Sequence, residues 1–123
     1  MKFCWCTLKV RDLDRSVEFY KDILNLPVAR RFNAGPGVEI AFLGSGETLV
    51  ELICDNSQDE VCFGGDISLG FAVNSADEKI RELSDKGIDI QSGPFQPNPS
   101  IKFFYIADPD GLKIQLVENI GGN

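Results

Sequence analysis

A chain of 123 residues, 43% of them apolar, reads as one globular domain, long enough to bury roughly two-thirds of the surface its unfolded form exposes. Its formal net charge of −7 argues against nucleic acid and anionic membrane surfaces as partners, and no apolar run reaches the ~18–20 residues of a membrane span. Histidine is absent, which excludes Ser-His and Cys-His nucleophiles and removes the commonest metal ligand.

The N-terminus, Met1-Lys2-Phe3-Cys4-Trp5-Cys6, carries one charge and then alternates, without the long apolar region of a signal peptide, so a cytoplasmic protein is expected. Phe3 to Val10 reads as a strand, with Cys4, Cys6, Leu8 and Val10 on one face and Phe3, Trp5, Thr7 and Lys9 on the other. Asp12 or Asp14 can cap a helix whose apolar stripe is Val17, Tyr20, Ile23 and Leu24, and which Leu26-Pro27 ends. Strands are expected at about 28–33, 38–43 and 47–54, punctuated by Ala34-Gly35-Pro36-Gly37 and Gly44-Ser45-Gly46. The polar stretch 55–66 is a connection. The four cysteines, Cys4, Cys6, Cys54 and Cys62, have neither zinc-knuckle nor Cys-x-x-Cys spacing and are expected reduced and packed as small hydrophobes.

A second series follows. Ile67–Val73 reads as a strand. Ser75 with Glu78 forms a capping box for a helix that buries Ala76, Ile80 and Leu83 and stops at Gly87. A short strand is expected near 88–91, then a long irregular loop through Gly93-Pro94 and Pro97-Asn98-Pro99. Ile101–Ala107 and Leu112–Glu118 are strands joined by the tight turn Asp108-Pro109-Asp110-Gly111.

The two series are one pattern written twice, sixty-three residues apart: Val10 matches Val73, Asp14 matches Asp77, Val17 matches Ile80 and Asp22 matches Asp85. Glu51-Leu52-Ile53 matches Gln115-Leu116-Val117 with the offset slipped by one. The expected fold is α+β: two tandem β-α-β-β-β modules, about 1–54 and 67–123, in a curved, mostly antiparallel sheet with helices on one face and a concave cleft on the other. A duplicated module usually places its site where equivalent positions converge, which singles out Trp5 with Ser68, and Glu51 with Gln115. Phe103-Phe104-Tyr105 must alternate, so Phe103 and Tyr105 join the list of cleft-facing candidates.

Val10-x-Asp12-Leu13-Asp14-Arg15-Ser16-x-x-Phe19-Tyr20 near the start, and Asp108-Pro109-Asp110-Gly111 before Ile114-Gln115-Leu116-Val117-Glu118, resemble the vicinal oxygen chelate superfamily. That group includes glyoxalase I, bleomycin-resistance proteins, fosfomycin-resistance enzymes and extradiol dioxygenases. The resemblance covers essentially the whole chain. It implies that Trp5 and Ser68 stand where the enzymes hold metal-binding His (Gln in some glyoxalases at the first position), that Glu51 retains the first-module carboxylate, and that Gln115 replaces the final Glu. It also implies a homodimer.

These readings give three expectations. The first is a binding protein without metal or other cofactor, holding a planar neutral or cationic organic molecule over Trp5, beside the charge of Glu51. The second is a glyoxalase-like or dioxygenase-like enzyme with an atypical divalent-metal site using Glu51, Gln115 and Asp66 or a cysteine. The third is a scaffold that acts through a protein partner. Each corner also has a plain structural reading: Trp5 as filler or dimer contact, Glu51 as partner of a cation such as Lys9, Ser68 as a small residue making room, and Gln115 as a hydrogen-bonding group.

Overall fold

A computed structural model of the chain describes residues 1–57 and 60–120. Met1–Cys62 and Phe63–Asn123 form two compact units, divided inside the connecting stretch 55–66. Unit 1 runs β1 (Trp5–Lys9), α1 (Leu13–Glu18), β2 (Val28–Gly35), β3 (Val38–Leu43), β4 (Leu49–Asp55). Unit 2 repeats the order with β5 (Ser68–Ala72), α2 (Ala76–Asp85), β6 (Ser92–Asn98), β7 (Ile101–Ala107), β8 (Lys113–Asn119). Each unit has its own four-stranded sheet, ordered β1-β4-β3-β2 and β5-β8-β7-β6. The first strand of each unit pairs in parallel with its last, and the remaining pairs are antiparallel. A parallel pair cannot be closed by a hairpin, so each unit needs the helix and two strands that lie between.

In unit 1 the helical segment packs against β3 and β4. Val17, Tyr20 and Leu24 are buried along with Leu8, Val10, Ala41, Leu43, Val50 and Leu52. Asp12 is the cap, accepting the Arg15 N–H at 3.1 Å. After Glu18 the helix widens into a π-helical turn, Phe19–Ile23, in which the Leu24 N–H donates to the Phe19 carbonyl at 3.2 Å. It ends before Leu26-Pro27, because Asn25 adopts φ 59°, a left-handed conformation that Asn tolerates better than most side chains. Arg31 of β2 ties the sheet to α1, reaching Asp14 at 2.6 Å and Glu39 at 2.7 Å. Those hydrogen bonds, Glu39's first, raise its pKa further above the ordinary arginine value.

In unit 2, Ala76 and Leu83 of α2 are buried, as are Phe104, Ile106, Ile114 and Leu116 of β7 and β8. Ser75 Oγ accepts the Glu78 N–H at 3.2 Å, as the capping box requires, and Gly87 follows the helix at φ 76°. Ile80 departs from its expected burial and is half-buried, whereas Lys79 is buried. The Lys79 stem lies along the apolar face while its ammonium reaches Glu82 at 3.1 Å.

Two further expectations are corrected. Residues 88–91 form no strand, and the supposed irregular loop through Gly93-Pro94 and Pro97-Asn98-Pro99 is instead occupied mainly by β6. It is an edge strand paired with β7 only at Ser92, Phe95 and Asn98, with register shifts between them. Pro94 and Pro97, which lack an N–H, fall between the paired positions, the arrangement that lets proline enter a sheet. The cysteines also differ from the reading as packed hydrophobes. All four are unpaired; Cys4 and Cys62 are exposed, while Cys6 and Cys54 are half-buried. Among the described residues, no helix is long and apolar enough to cross a membrane.

Candidate functional site

In each sheet one face is covered by the helix and the other carries the candidate residues. Directly paired residues project to the same face, so the register identifies it. In unit 1, Trp5 pairs with Leu49, Thr7 with Glu51, Glu51 with Phe42, and Phe42 with Arg30. A row across four strands therefore reads Thr7, Glu51, Phe42, Arg30, with Trp5 and Phe32 beside it.

Phe42 forms the floor of this row. It is 3% exposed although it lies opposite the helix, because neighbouring side chains cover it. Trp5 meets it edge to face at 5.3 Å, Phe32 lies nearly parallel to it at 6.3 Å, and the Arg30 guanidinium sits 4.3 Å from its centroid. Trp5 and Phe32 remain 46% and 41% exposed, so the rings form a shallow tray with an open upper side. Glu51, half-buried on the far side of Phe42, accepts a hydrogen bond from the Thr7 hydroxyl. Lys9, offered by the sequence as a partner for Glu51, lies near Asp55. The Asp55 carboxyl is held below its ordinary value first by the Ser57 hydroxyl and N–H, and then by the Lys9 charge.

Unit 2 repeats this face with different chemistry. Ser68 pairs with Lys113, Gly70 with Gln115, Gln115 with Tyr105, Tyr105 with Ser92 and Phe103 with Phe95. Ser68, Gln115, Phe103 and Tyr105, all sequence candidates, thus share one face. Phe95, Phe103 and Tyr105 form a second aromatic trio with centroids 5.5–6.4 Å apart, and the Lys113 ammonium lies 5.1 Å from the Tyr105 ring. Gly70 leaves space beside Gln115, whose Oε1 is 3.5 Å from where a Cβ would stand. Thr7 fills the equivalent position in unit 1, which is why Glu51 has a hydroxyl partner and Gln115 faces a gap.

Taken by itself, neither unit's face offers donors that suit a divalent ion. Trp5 offers an indole N–H and no lone pair, Ser68 a neutral hydroxyl and Gln115 a neutral amide. Glu51 is the single carboxylate and already accepts the Thr7 hydroxyl. Asp66, raised as an alternative ligand, is exposed in the turn before β5, and Cys6 and Cys54 lie on the register opposite to Thr7 and Glu51. Among the described residues, no three His, Cys, Asp or Glu side chains group closely enough to hold a metal ion.

Sequence reasoning missed Arg30, Phe32, Phe42, Phe95 and Lys113. The repeat offset would have found most of the rings, since Phe32 and Phe95, and Phe42 and Tyr105, are each sixty-three residues apart. The cations carry no such signal, because Arg30 corresponds to Gly93 in the second copy.

The duplicated βαβββ units, each with one open sheet face, define a class of protein that comparison identifies. Residues 2–116 match the Glyoxalase/Bleomycin resistance protein/Dioxygenase superfamily, and the chain belongs to it. It is 32% identical over 120 residues to a probable lactoylglutathione lyase of Synechocystis, covering 90% of each chain. In fold it is similar to a glyoxalase I mutant from Zea mays, with TM-score 0.83 at 22% identity, covering 97% of this chain and about half (47%) of the maize chain. It is also similar to TnmS3, an antibiotic-binding protein from Streptomyces, with TM-score 0.77 at 17% identity, covering 97% and 96% of the two chains.

Proposed function

We propose that this superfamily member binds a small planar organic molecule on the aromatic tray of unit 1 and carries out no metal-dependent chemistry on it. The observation that carries the reading is the half-exposed Trp5 ring, propped edge-on by a buried Phe42, at the position where the family resemblance implies a metal-binding residue. An aromatic contact of this kind adds about 0.5–1.5 kcal/mol to what area burial contributes. The same fold serves antibiotic binding in TnmS3, so binding alone lies within its range. We place the protein in the cytoplasm, where unpaired cysteines persist as thiols, and expect it to work as a homodimer.

A second reading, a lactoylglutathione lyase, is favoured by the relative of that name and by the retention of Glu51. Its difficulty is chemical: the remaining corners offer an indole, a hydroxyl and an amide. A thermal-shift screen of planar aromatic compounds, with metal content measured on the purified protein, separates the two. A ligand at a hundred times its Kd adds about 2.7 kcal/mol of stability, and binding requires that this gain shrink in a Trp5→Ala variant. Stoichiometric bound metal that a Glu51→Ala variant loses supports the lyase and overturns the binding reading.

A further inference from the structure

The ligand's charge can be read from Arg30, a residue outside the four duplicated corners. Arg30 is exposed, and its guanidinium carbon lies over the rings, 4.3 Å from the Phe42 centroid and 6.0 Å from that of Phe32. Among the described residues it meets no carboxylate. Its β2 neighbour Arg31, by contrast, is held by Asp14 and Glu39 on the helix side of the sheet. Alternation along β2 sends one arginine into an ion-pair network and leaves the other on the tray, its N–H donors unmatched by an acid among the described residues.

A cation–π contact with Phe42 holds the guanidinium over the tray without engaging an acid, which leaves its N–H donors available to a bidentate acceptor. Glu51 taken alone favours a neutral or cationic ring. Arg30 adds the opposite polarity at the other end of the row: Glu51 already accepts a hydroxyl donor, while Arg30 meets no acid among the described residues. The two charges lie two strands apart with Phe42 between them, so their backbones are separated by roughly 10 Å. An anionic group at the Arg30 end is thereby kept away from Glu51, while the ring it carries lies over the tray.

We propose that Arg30 is the anion-recognising residue of this face and that the ligand class is planar aromatic carboxylates. The proposal rests on the reading of the tray as a ligand-binding surface, and its test keeps the two apart. Naphthalene-2-carboxylate and naphthalene-2-carboxamide present the same ring and nearly the same shape and differ in charge. Each is titrated into the full chain while the Trp5 indole N–H signal is followed by NMR, a single resonance because the chain has one tryptophan.

The carboxylate is expected to bind about tenfold or more tightly than the amide, as a charge-assisted pair requires. That preference should weaken with added salt. Arg30→Met, which keeps an apolar stem over Phe42, should bring the acid down to the affinity of the amide and leave amide binding within about twofold. Arg30→Lys should keep part of the preference. Equal affinities in the wild-type protein, or a preference that survives in Arg30→Met, overturn the role of Arg30 while leaving the tray reading intact. If neither probe shifts the Trp5 resonance, both readings fail.

Discussion

Phe42 supports the tray from beneath, and its removal separates two energetic contributions that the structure superimposes. Truncation to Ala deletes a ring that is 3% exposed and in contact with Trp5, Phe32 and Arg30. Fully buried Phe→Ala changes cost about 3–5 kcal/mol. The lower end applies here, because Trp5 and Phe32 are each more than 40% exposed and can settle into part of the space. Leu in place of Phe keeps most of the apolar volume and loses the ring interactions: about 0.5–1.5 kcal/mol for the edge-to-face pair, and about 0.5–1 for the exposed guanidinium. Urea unfolding of both variants should give losses of about 3 kcal/mol for Phe42→Ala and about 1–2.5 kcal/mol for Phe42→Leu. At this chain length the Ala variant should melt roughly 10 °C lower. A loss below about 1 kcal/mol for Phe42→Ala would refute the claim that Phe42 supports the face.

Three further predictions concern the frame that holds the two faces. Asp12→Ala and Ser75→Ala should each lower stability by about 1 kcal/mol in chemical denaturation, because each side chain accepts a first-turn N–H. Gly93→Ala should be far worse than Gly70→Ala. The added Cβ at Gly93 would stand 3.0–3.2 Å from the Phe103 and Phe104 main chain and Cβ at φ 103°, for a cost of about 2–4 kcal/mol. At Gly70 it meets only Gln115 Oε1 at an ordinary 3.5 Å, so melting curves should barely move. Glu82 is held below its ordinary value of 4.5 first by its hydrogen bond to Lys79, then by the charges of Lys79 and Lys86. The unfolded chain therefore binds the proton more readily, and the stabilisation is full above pH 4.5 and lost as pH falls through the lower folded value. Glu82→Gln should melt below the wild type at neutral pH and converge with it in acid; a difference that stays constant with pH would contradict this sign.

The duplication made the module order, the strand parity and the corner positions Trp5, Glu51, Ser68 and Gln115 legible in the sequence. Each reports a local period or a repeat offset. The facts that define the chemistry are cross-strand and carry no such period. Thr7 meets Glu51 only through the parallel register of β1 and β4, and Arg30 meets Phe42 only through the pairing of β2 with β3. Proline misled the reading of β6, because Pro94 and Pro97 break a ladder only where an N–H is needed, and an edge strand paired at every third residue does not need theirs. Lys79 misled in the opposite way: its charge argued for the surface, while its stem completes the apolar face of α2.

Binding without metal-dependent turnover is open to a lactoylglutathione lyase assay. The purified protein is assayed with added nickel or zinc beside an active lyase under the same conditions. With an indole, a hydroxyl and an amide at three of the four corners, the rate should not exceed that of metal and substrate without protein. A metal-dependent rate above that background, abolished by Glu51→Ala, would contradict binding without turnover.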